Sequence, residues 1–451
     1  MSGMTLHQVY AALKLKPPST MADAPVVKFE VDSRLVGAGD VFIALAGARS
    51  DGHDHAASAV ENGARLLIVQ RDLPQLSIPQ IKVDDCLIAL AHLAIFHRAH
   101  CRGKIVGITG SVGKTTAKDF LLQLFAGSQF TAYAAPKSYN SEIGLPLAML
   151  GAPRNADFIV LEYGINEPGE MDYLLSVVKP DMAAIVAIGA AHLEGLGDVK
   201  TIAYEKNKLL QAVPPSGAVW LDSSCMSLIP DEGRKWLAEP HVYDHSIYSY
   251  QFEGSKFLVE HPQLKNVEVG CIAPHELRLA MLMADITASC QVPTEKISKA
   301  LATLVKPHGR MQQLRVGNVD FIDDAYNANP MSMLAALRAL SELPCLGKRV
   351  AVLGSMLELG EQQQQLHAQI GRSLDEFDID QVICVGELAS TIAGFAPHQI
   401  KTICVPDYAA AASLLAENCH DNDLVLLKAS RADGLERILP KFERLISIPA
   451  T

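Results

Sequence analysis

Ile105-Val-Gly-Ile-Thr109-Gly-Ser-Val-Gly-Lys114-Thr-Thr116 decides how the rest of the chain is read. An apolar run breaks at a glycine, and Lys with two hydroxyls then opens the stretch Ala117–Phe125, which reads as strand, tight loop and helix. Phosphate binding uses each part. Gly110 and Gly113 let backbone N–H groups converge on an anion, and a helix N-terminus adds positive potential. Lys114 neutralises phosphoryl oxygens, and the Thr115 hydroxyl can ligate Mg²⁺. Thr109, Gly110, Ser111, Val112, Gly113, Lys114, Thr115 and Thr116 are therefore the expected nucleotide cradle. In the general phosphate-loop pattern a glycine precedes this lysine by six residues; here that position is Ile108, so the loop is a variant.

Outward from the loop the chain divides. On the N-terminal side, the short apolar runs Asp40–Ala46, Ala64–Gln70 and Ile78–Val83, broken by turns such as Ala48–His53, predict a small α/β unit. A helical stretch, Leu87–His100, leads to a boundary near residue 102. On the other side, the strand-like runs Phe158–Glu162, Ala183–Ile188 and Ala218–Asp222 are separated by segments long enough for helices, the mark of a mostly parallel sheet. Lys306-Pro-His-Gly-Arg310 has the chemistry of a linker. Beyond it, strands at Val319–Asp324, Arg349–Leu353, Gln381–Val385 and Leu424–Lys428 alternate with helices such as Ser332–Leu340 and Gln363–Asp375, a second doubly wound unit. The expectation is an α/β protein of three domains: 1–101, 102–308 and 309–451.

Composition sets bounds on function. At 451 residues with 49% apolar and 20% charged side chains, the chain has material for several cores. Its net charge of −11 argues against sequence-independent binding to nucleic acid or anionic lipid. Nine scattered cysteines with no C-x-x-C disfavour a disulfide framework or a structural zinc, and predict buried thiols. No apolar run approaches the ~18–20 residues of a membrane span, and no signal-peptide pattern opens the chain, so the cytoplasm is expected.

Further segments follow in order: Asp32-Ser-Arg34, Asp51-Gly-His53, Asn140-Ser-Glu-Ile-Gly-Leu-Pro146, Glu162-Tyr-Gly-Ile-Asn-Glu-Pro-Gly-Glu170 and His192-Leu-Glu-Gly-Leu-Gly197. Gly309-Arg310, Asp323-Asp-Ala-Tyr-Asn-Ala-Asn-Pro330, Met356-Leu-Glu-Leu-Gly360 and Lys428-Ala-Ser-Arg431 complete the series. Together with T-G-x-x-G-K-T-T, this series resembles the Mur ligase and folylpolyglutamate synthetase superfamily. Its order over nearly the whole chain is similar to the Mur ligases that add D-alanyl-D-alanine to UDP-MurNAc-tripeptide.

The resemblance implies an ADP-forming amide ligase using ATP and Mg²⁺, with catalytic roles for Lys114, Glu162, His192 and Lys206. Thr115, Glu162, His192 and Lys206 would hold metal, Lys206 as a carbamate. His275 and Arg310 would contact nucleotide. Ser33, Arg34, Asp51 and His53 would grip the uridine diphosphate, while Asn140, Asn327, Asn329, Lys428 and Arg431 would serve the other substrate parts. A monomer is expected.

Read without the family, a strand-end Glu162 or a loop His192 is more often structural. Lys206, between Glu205 and Lys208, reads equally well as part of a solvated helical charge run. The chain also departs from the family pattern. Leu279 stands where an asparagine meets adenine, Ser355 where an aspartate is expected, and Ala429 where K-G-S-R has glycine. The alternatives are a related ligase with another amine or acceptor, a phosphate-loop ATPase or kinase, and a non-catalytic binding homologue.

Overall fold

A computed structural model describes residues 3–47 and 50–447, so Ala48 and Arg49 of the predicted Ala48–His53 turn lie outside the described residues. The strand Lys104–Thr109 runs through the middle of a six-stranded, wholly parallel sheet. Phe158–Glu162 and then Ala132–Ala134 lie on one side of it; Met182–Ile185, Ala218–Asp222 and Glu239–Tyr243 lie on the other. The connections thus reverse direction at Lys104–Thr109. In a doubly wound sheet such a reversal leaves a crevice at the carboxyl ends of the strands. The phosphate loop emerges there, between Glu162 and the segment that leads to His192.

The four inner strands are buried because helices cover both faces, which is why they read as continuous apolar runs rather than alternating ones. Helix Lys114–Ala126 packs on one face with Pro274–Ser289; the other face joins the core under Cys86–Ala99. That last helix starts where the Asp85 carboxylate accepts the N–H groups of Leu87 and Ile88.

Before it stands a four-stranded parallel sheet, Phe29–Glu30, Val41–Ile43, Leu66–Val69 and Gln80–Lys82. The C-terminal six-stranded sheet runs in the order Gln312–Val316, Val319–Asp324, Leu424–Lys428, Arg349–Leu353, Gln381–Val385, Lys401–Val405, with only the first pair antiparallel. The chain is thus a three-domain α/β protein.

Four predicted strands of the C-terminal sheet keep their bounds, as do Phe158–Glu162 and Ala218–Asp222. The region 239–269 differs: it holds an edge strand and a three-stranded antiparallel sheet, Ser249–Phe252, Phe257–His261 and Lys265–Val269, where no strand is legible in the sequence. These strands are short and expose polar side chains on one face, so they carry little apolar signal. All nine thiols are free and five are buried as expected, but Cys290, Cys345 and Cys419 are only half-buried, and Cys404 is exposed because Lys401–Val405 is an outer strand.

Candidate active site

Gly113 has φ +81° and stands as the N-cap of helix Lys114–Ala126, the left-handed geometry that a residue with a Cβ adopts only under strain. Gly110 is equally fixed, since a Cβ there would lie 2.6 Å from the Val186 side chain and 3.0 Å from the Val112 carbonyl. The loop is held to its neighbours: Thr109 Oγ1 donates to the Tyr163 carbonyl at 2.7 Å, and Ser111 Oγ donates to the Gly189 carbonyl at 2.8 Å. Val112 is half-buried and Thr116 is buried. Lys114 folds back to donate to the Gly110 carbonyl at 2.7 Å. Desolvation, opposed by Glu162 and Glu358 and reinforced by Arg310, pushes its ammonium down to about 8.

Glu162 ends its strand beside the loop. Its Oε2 accepts from Thr115 Oγ1 at 3.0 Å, and Thr115 Oγ1 also meets Ser138 Oγ at 2.9 Å. Glu162 Oε1 has no hydrogen-bond donor but lies 3.3 Å from Nζ of Lys118. Lys118 is a further member that sequence reading passed over. One helical turn after Lys114, it is fully buried and donates to the carbonyls of Ala135 (2.7 Å) and Lys137 (3.2 Å). One cation thereby ties the Glu162 carboxylate to the 135–138 segment. Its four-residue spacing from Lys114 puts it on the same helix face, but that spacing by itself does not separate a buried lysine from an exposed one.

Lys206 is not part of a solvated charge run. It is wholly buried, its Nζ has no partner, and burial followed by the charge of Lys114 holds its pKa far below that of an ordinary lysine. Its neighbours split away: Lys208 pairs with Glu205 and Asp172, both at 2.7 Å. His192 has a left-handed backbone, φ 55°, and its Nδ1 stands 2.6 Å from Oε2 of Glu358, contributed by the loop after strand Arg349–Leu353 of the C-terminal domain. Glu358 lies in the quoted Met356–Gly360 stretch, but sequence alone offers it no partner.

From the C-terminal domain, Asn329 caps helix Pro330–Glu342 through the N–H of Ser332 and reaches the Ser111 carbonyl at 3.4 Å. Asn327 Oδ1 accepts from the Ala328 N–H at 2.9 Å. Strand register puts Asp324 opposite Lys428, and the two pair at 2.6 Å, while Nζ of Lys428 also donates to the Asn327 carbonyl at 2.8 Å. Lys428 is thus buried and turned inward. Arg310 and Arg431 both lie over the Tyr326 ring, 4.4 and 5.2 Å from its centroid.

The segment expected at adenine carries Leu279 in place of the expected asparagine. The Leu279 side chain packs 3.4 Å from where a Gly113 Cβ would be, so an apolar group covers the loop. His275, one turn earlier on the same helix, is exposed to solvent within electrostatic range of Asp324, Lys428 and Lys306. At Ser355, whose N–H donates to Asp433 Oδ2 at 2.6 Å, a carboxylate is present after all, contributed by Asp433. Ala429 packs against Gly354, where a Cβ would lie 2.6 Å from its own.

In the N-terminal domain Ser33 is buried, and Arg34 is exposed with its guanidinium on Asp32 at 2.7 and 2.9 Å. His53 is internal: its Nε2 accepts the Gln70 N–H at 2.8 Å, which leaves Nδ1 as the donor to Asp51 at 2.6 Å. Asp51 also holds Arg71 at 2.7 Å. Among the described residues, no hydrogen bond or ion pair joins these four residues to the phosphate loop. Between them stands the 137–140 segment: Lys137 and Tyr139 are within electrostatic range of Asp32. Asn140 packs on Gly164, with its carbonyl accepting the Gly164 N–H at 2.8 Å.

Three family models match the chain: residues 27–98 the Mur ligase family catalytic domain, 108–277 the Mur ligase middle domain, and 309–431 the Mur ligase glutamate ligase domain. The UDP-N-acetylmuramoyl-tripeptide--D-alanyl-D-alanine ligase of Bacillus subtilis is 32% identical over 426 residues, which are 90% of this chain and 91% of that protein. The protein of the same name in Escherichia coli is 30% identical over 93% of this chain and 94% of its own. Among solved structures, MurF from Acinetobacter baumannii superposes with a TM-score of 0.85 at 27% identity over 98% of both chains. The MurF ligase of Thermotoga maritima in complex with ADP superposes at 0.81, with 28% identity over 94% of this chain and 98% of that one.

Proposed function

Because the chain belongs to the Mur ligase family, we propose that it joins D-alanyl-D-alanine to UDP-MurNAc-tripeptide, with ATP going to ADP and phosphate, in peptidoglycan precursor synthesis. The observation that carries this reading is the convergence of Lys114, Thr115 and Glu162 at the switch point of the central sheet, with Asn329 of the C-terminal domain reaching the same loop. The roles divide the chain as 1–101 for the UDP-linked substrate, 102–308 for ATP and 309–451 for closure and the incoming dipeptide. Among the described residues no helix is long and apolar enough to cross a membrane. The cytoplasm, where ATP and these precursors meet, is the compartment this reading needs.

The reaction has two steps. An oxygen of the acceptor carboxylate attacks the γ-phosphorus of ATP, the bond to the bridging β–γ oxygen breaks, and ADP leaves behind an acyl phosphate. The dipeptide amine then attacks the acyl carbon, the tetrahedral intermediate expels phosphate, and the amine gives up its proton. In the first step the loop N–H groups and Lys114 balance charge on the phosphoryl group, and Arg310 adds a fork of donors. In the second, water must be kept from the acyl phosphate, which is the task of a C-terminal domain docked on the loop.

The residues fit Mg²⁺. Thr115 Oγ1 and Glu162 Oε2 already converge at 3.0 Å, and a phosphate-bound ion would complete its shell with substrate oxygens and water. His192 and Lys206 are the pair for a second ion. Burial and the charge of Lys114 push the partnerless amine of Lys206 well below an ordinary lysine, toward the neutral form that would add CO₂ and release a proton to give a carbamate ligand. When bound, such ions supply charge neutralisation for the phosphoryl oxygens and a common anchor for acceptor and phosphate.

The test is phosphate release from ATP with UDP-MurNAc-tripeptide, with and without D-alanyl-D-alanine. Release that requires the dipeptide is expected. Release without it would favour an ATPase, and none under any condition would sink the ligase reading.

A further inference from the structure

Two non-glycine residues with left-handed backbone face each other across the boundary between the central and C-terminal domains: His192 at φ 55° and Glu358 at φ 63°. Neither conformation persists unless its surroundings over-determine it. His192 Nδ1 and Glu358 Oε2 are 2.6 Å apart, and the Glu194 N–H donates to the Glu358 carbonyl at 3.1 Å. Gly360 follows at φ 55°, so close that a Cβ there would lie 3.2 Å from the Glu194 Cα.

The turn that carries Glu358 is fixed from its own side. The N–H groups of Ser355, Met356 and Leu357 donate to Asp433 (2.6 Å), His367 Nε2 (3.0 Å) and Ser430 Oγ (3.0 Å), and the side chains of Met356 and Leu359 are buried. His192 follows a turn whose Gly189 exchanges two hydrogen bonds with Ser111 of the phosphate loop. A pinned turn in one domain thus presents a single carboxylate to one imidazole nitrogen in the other. Nδ1 is buried, and its contact with the carboxylate lies off the axis of the ring N–H.

A histidine that holds a metal through one ring nitrogen almost always engages a carboxylate, carbonyl or water through the other, which sets its tautomer and its plane. We propose that Glu358 is the positioning residue for His192, delivered by the C-terminal domain, so that the imidazole is set to hold its ion only when that domain is docked. The proposal rests on the reading of His192 as a second-metal residue and adds to it a group from another domain. Docking and occupation of that position then favour each other by the same factor.

Mn²⁺ bound to the full chain with a non-hydrolysable ATP analogue, counted by electron paramagnetic resonance, tests it. Two ions are expected in the unaltered chain. E358A and E358Q should leave the first unchanged and weaken the second about 10- to 100-fold, with kcat falling while KM for ATP holds; H192A should lose the second ion outright. If both Glu358 variants keep the second ion while H192A loses it, the positioning role is wrong and the ligase reading stands. If the unaltered chain binds a single ion, or H192A keeps both, the second-metal reading fails and this proposal with it. Should E358A fail to fold, the near-isosteric E358Q decides.

Discussion

Lys114, Lys118 and Lys206 share a type and little else. Lys114 is half-buried in the crevice, Lys118 is buried against a carboxylate, and Lys206 is buried with no counter-charge at all. Lys114 is legible from its own glycine loop, a local motif, and Lys206 only through the family resemblance; Lys118, and the burial of both Lys118 and Lys206, depend on what the fold packs around them. The lowered pKa of Lys114, about 8, makes a prediction about binding. A bound triphosphate favours the charged ammonium, so ATP affinity is full below that pKa and falls as pH rises through it, by about tenfold at pH ~9. Calorimetry near the upper end should also detect proton uptake on binding; affinity flat across this range would show that the phosphates do not meet this ammonium. A buried cation such as Lys118 makes no such pattern in sequence, yet it neutralises the one Glu162 oxygen that lacks a donor. Removing it would leave a buried carboxylate uncompensated.

At the scale of elements, the strands that carry the site were the easiest to read. Phe158–Glu162 and Val319–Asp324 are covered on both faces, so their apolar runs end where their carboxylates begin. Ala132–Ala134 and Lys401–Val405 lie at sheet edges and were missed, since partial exposure dilutes the apolar signal. Helix Pro330–Glu342 shows how one residue serves two levels. Asn329 Oδ1 caps it through Ser332, while Nδ2 reaches toward Ser111 in the phosphate loop. Asn329→Ala should cost about 1 kcal/mol in urea unfolding through the lost cap. Asn329→Ser keeps a capping oxygen and deletes only the reach across, so it should unfold like the unaltered chain and raise KM for ATP. Equal destabilisation by both would assign Asn329 to the helix alone.

At the scale of the molecule, the C-terminal domain meets the central domain through Asn329 at the phosphate loop, Glu358 at His192 and Met331 at Gly189. Gly189 packs directly on the C-terminal domain, since a Cβ there would fall 2.2 Å from Met331 Cε. Gly189→Val should therefore hold the domain away from the loop, giving a larger radius of gyration by small-angle scattering and a lower kcat with ATP still bound. Scattering identical to that of the unaltered chain would mean that Met331 swings aside and the contact does not set the domain arrangement. The sequence by itself determined the α/β class, the phosphate loop with its missing glycine, the run of family segments and most buried strands, because each is a local pattern of spacing and polarity. Only the tertiary structure decided that Lys206 is buried and partnerless, that Lys118 neutralises Glu162, that Lys428 turns inward to Asp324, and that Glu358 reaches His192. Those facts depend on pairs of residues distant in the chain and on the exclusion of water between them.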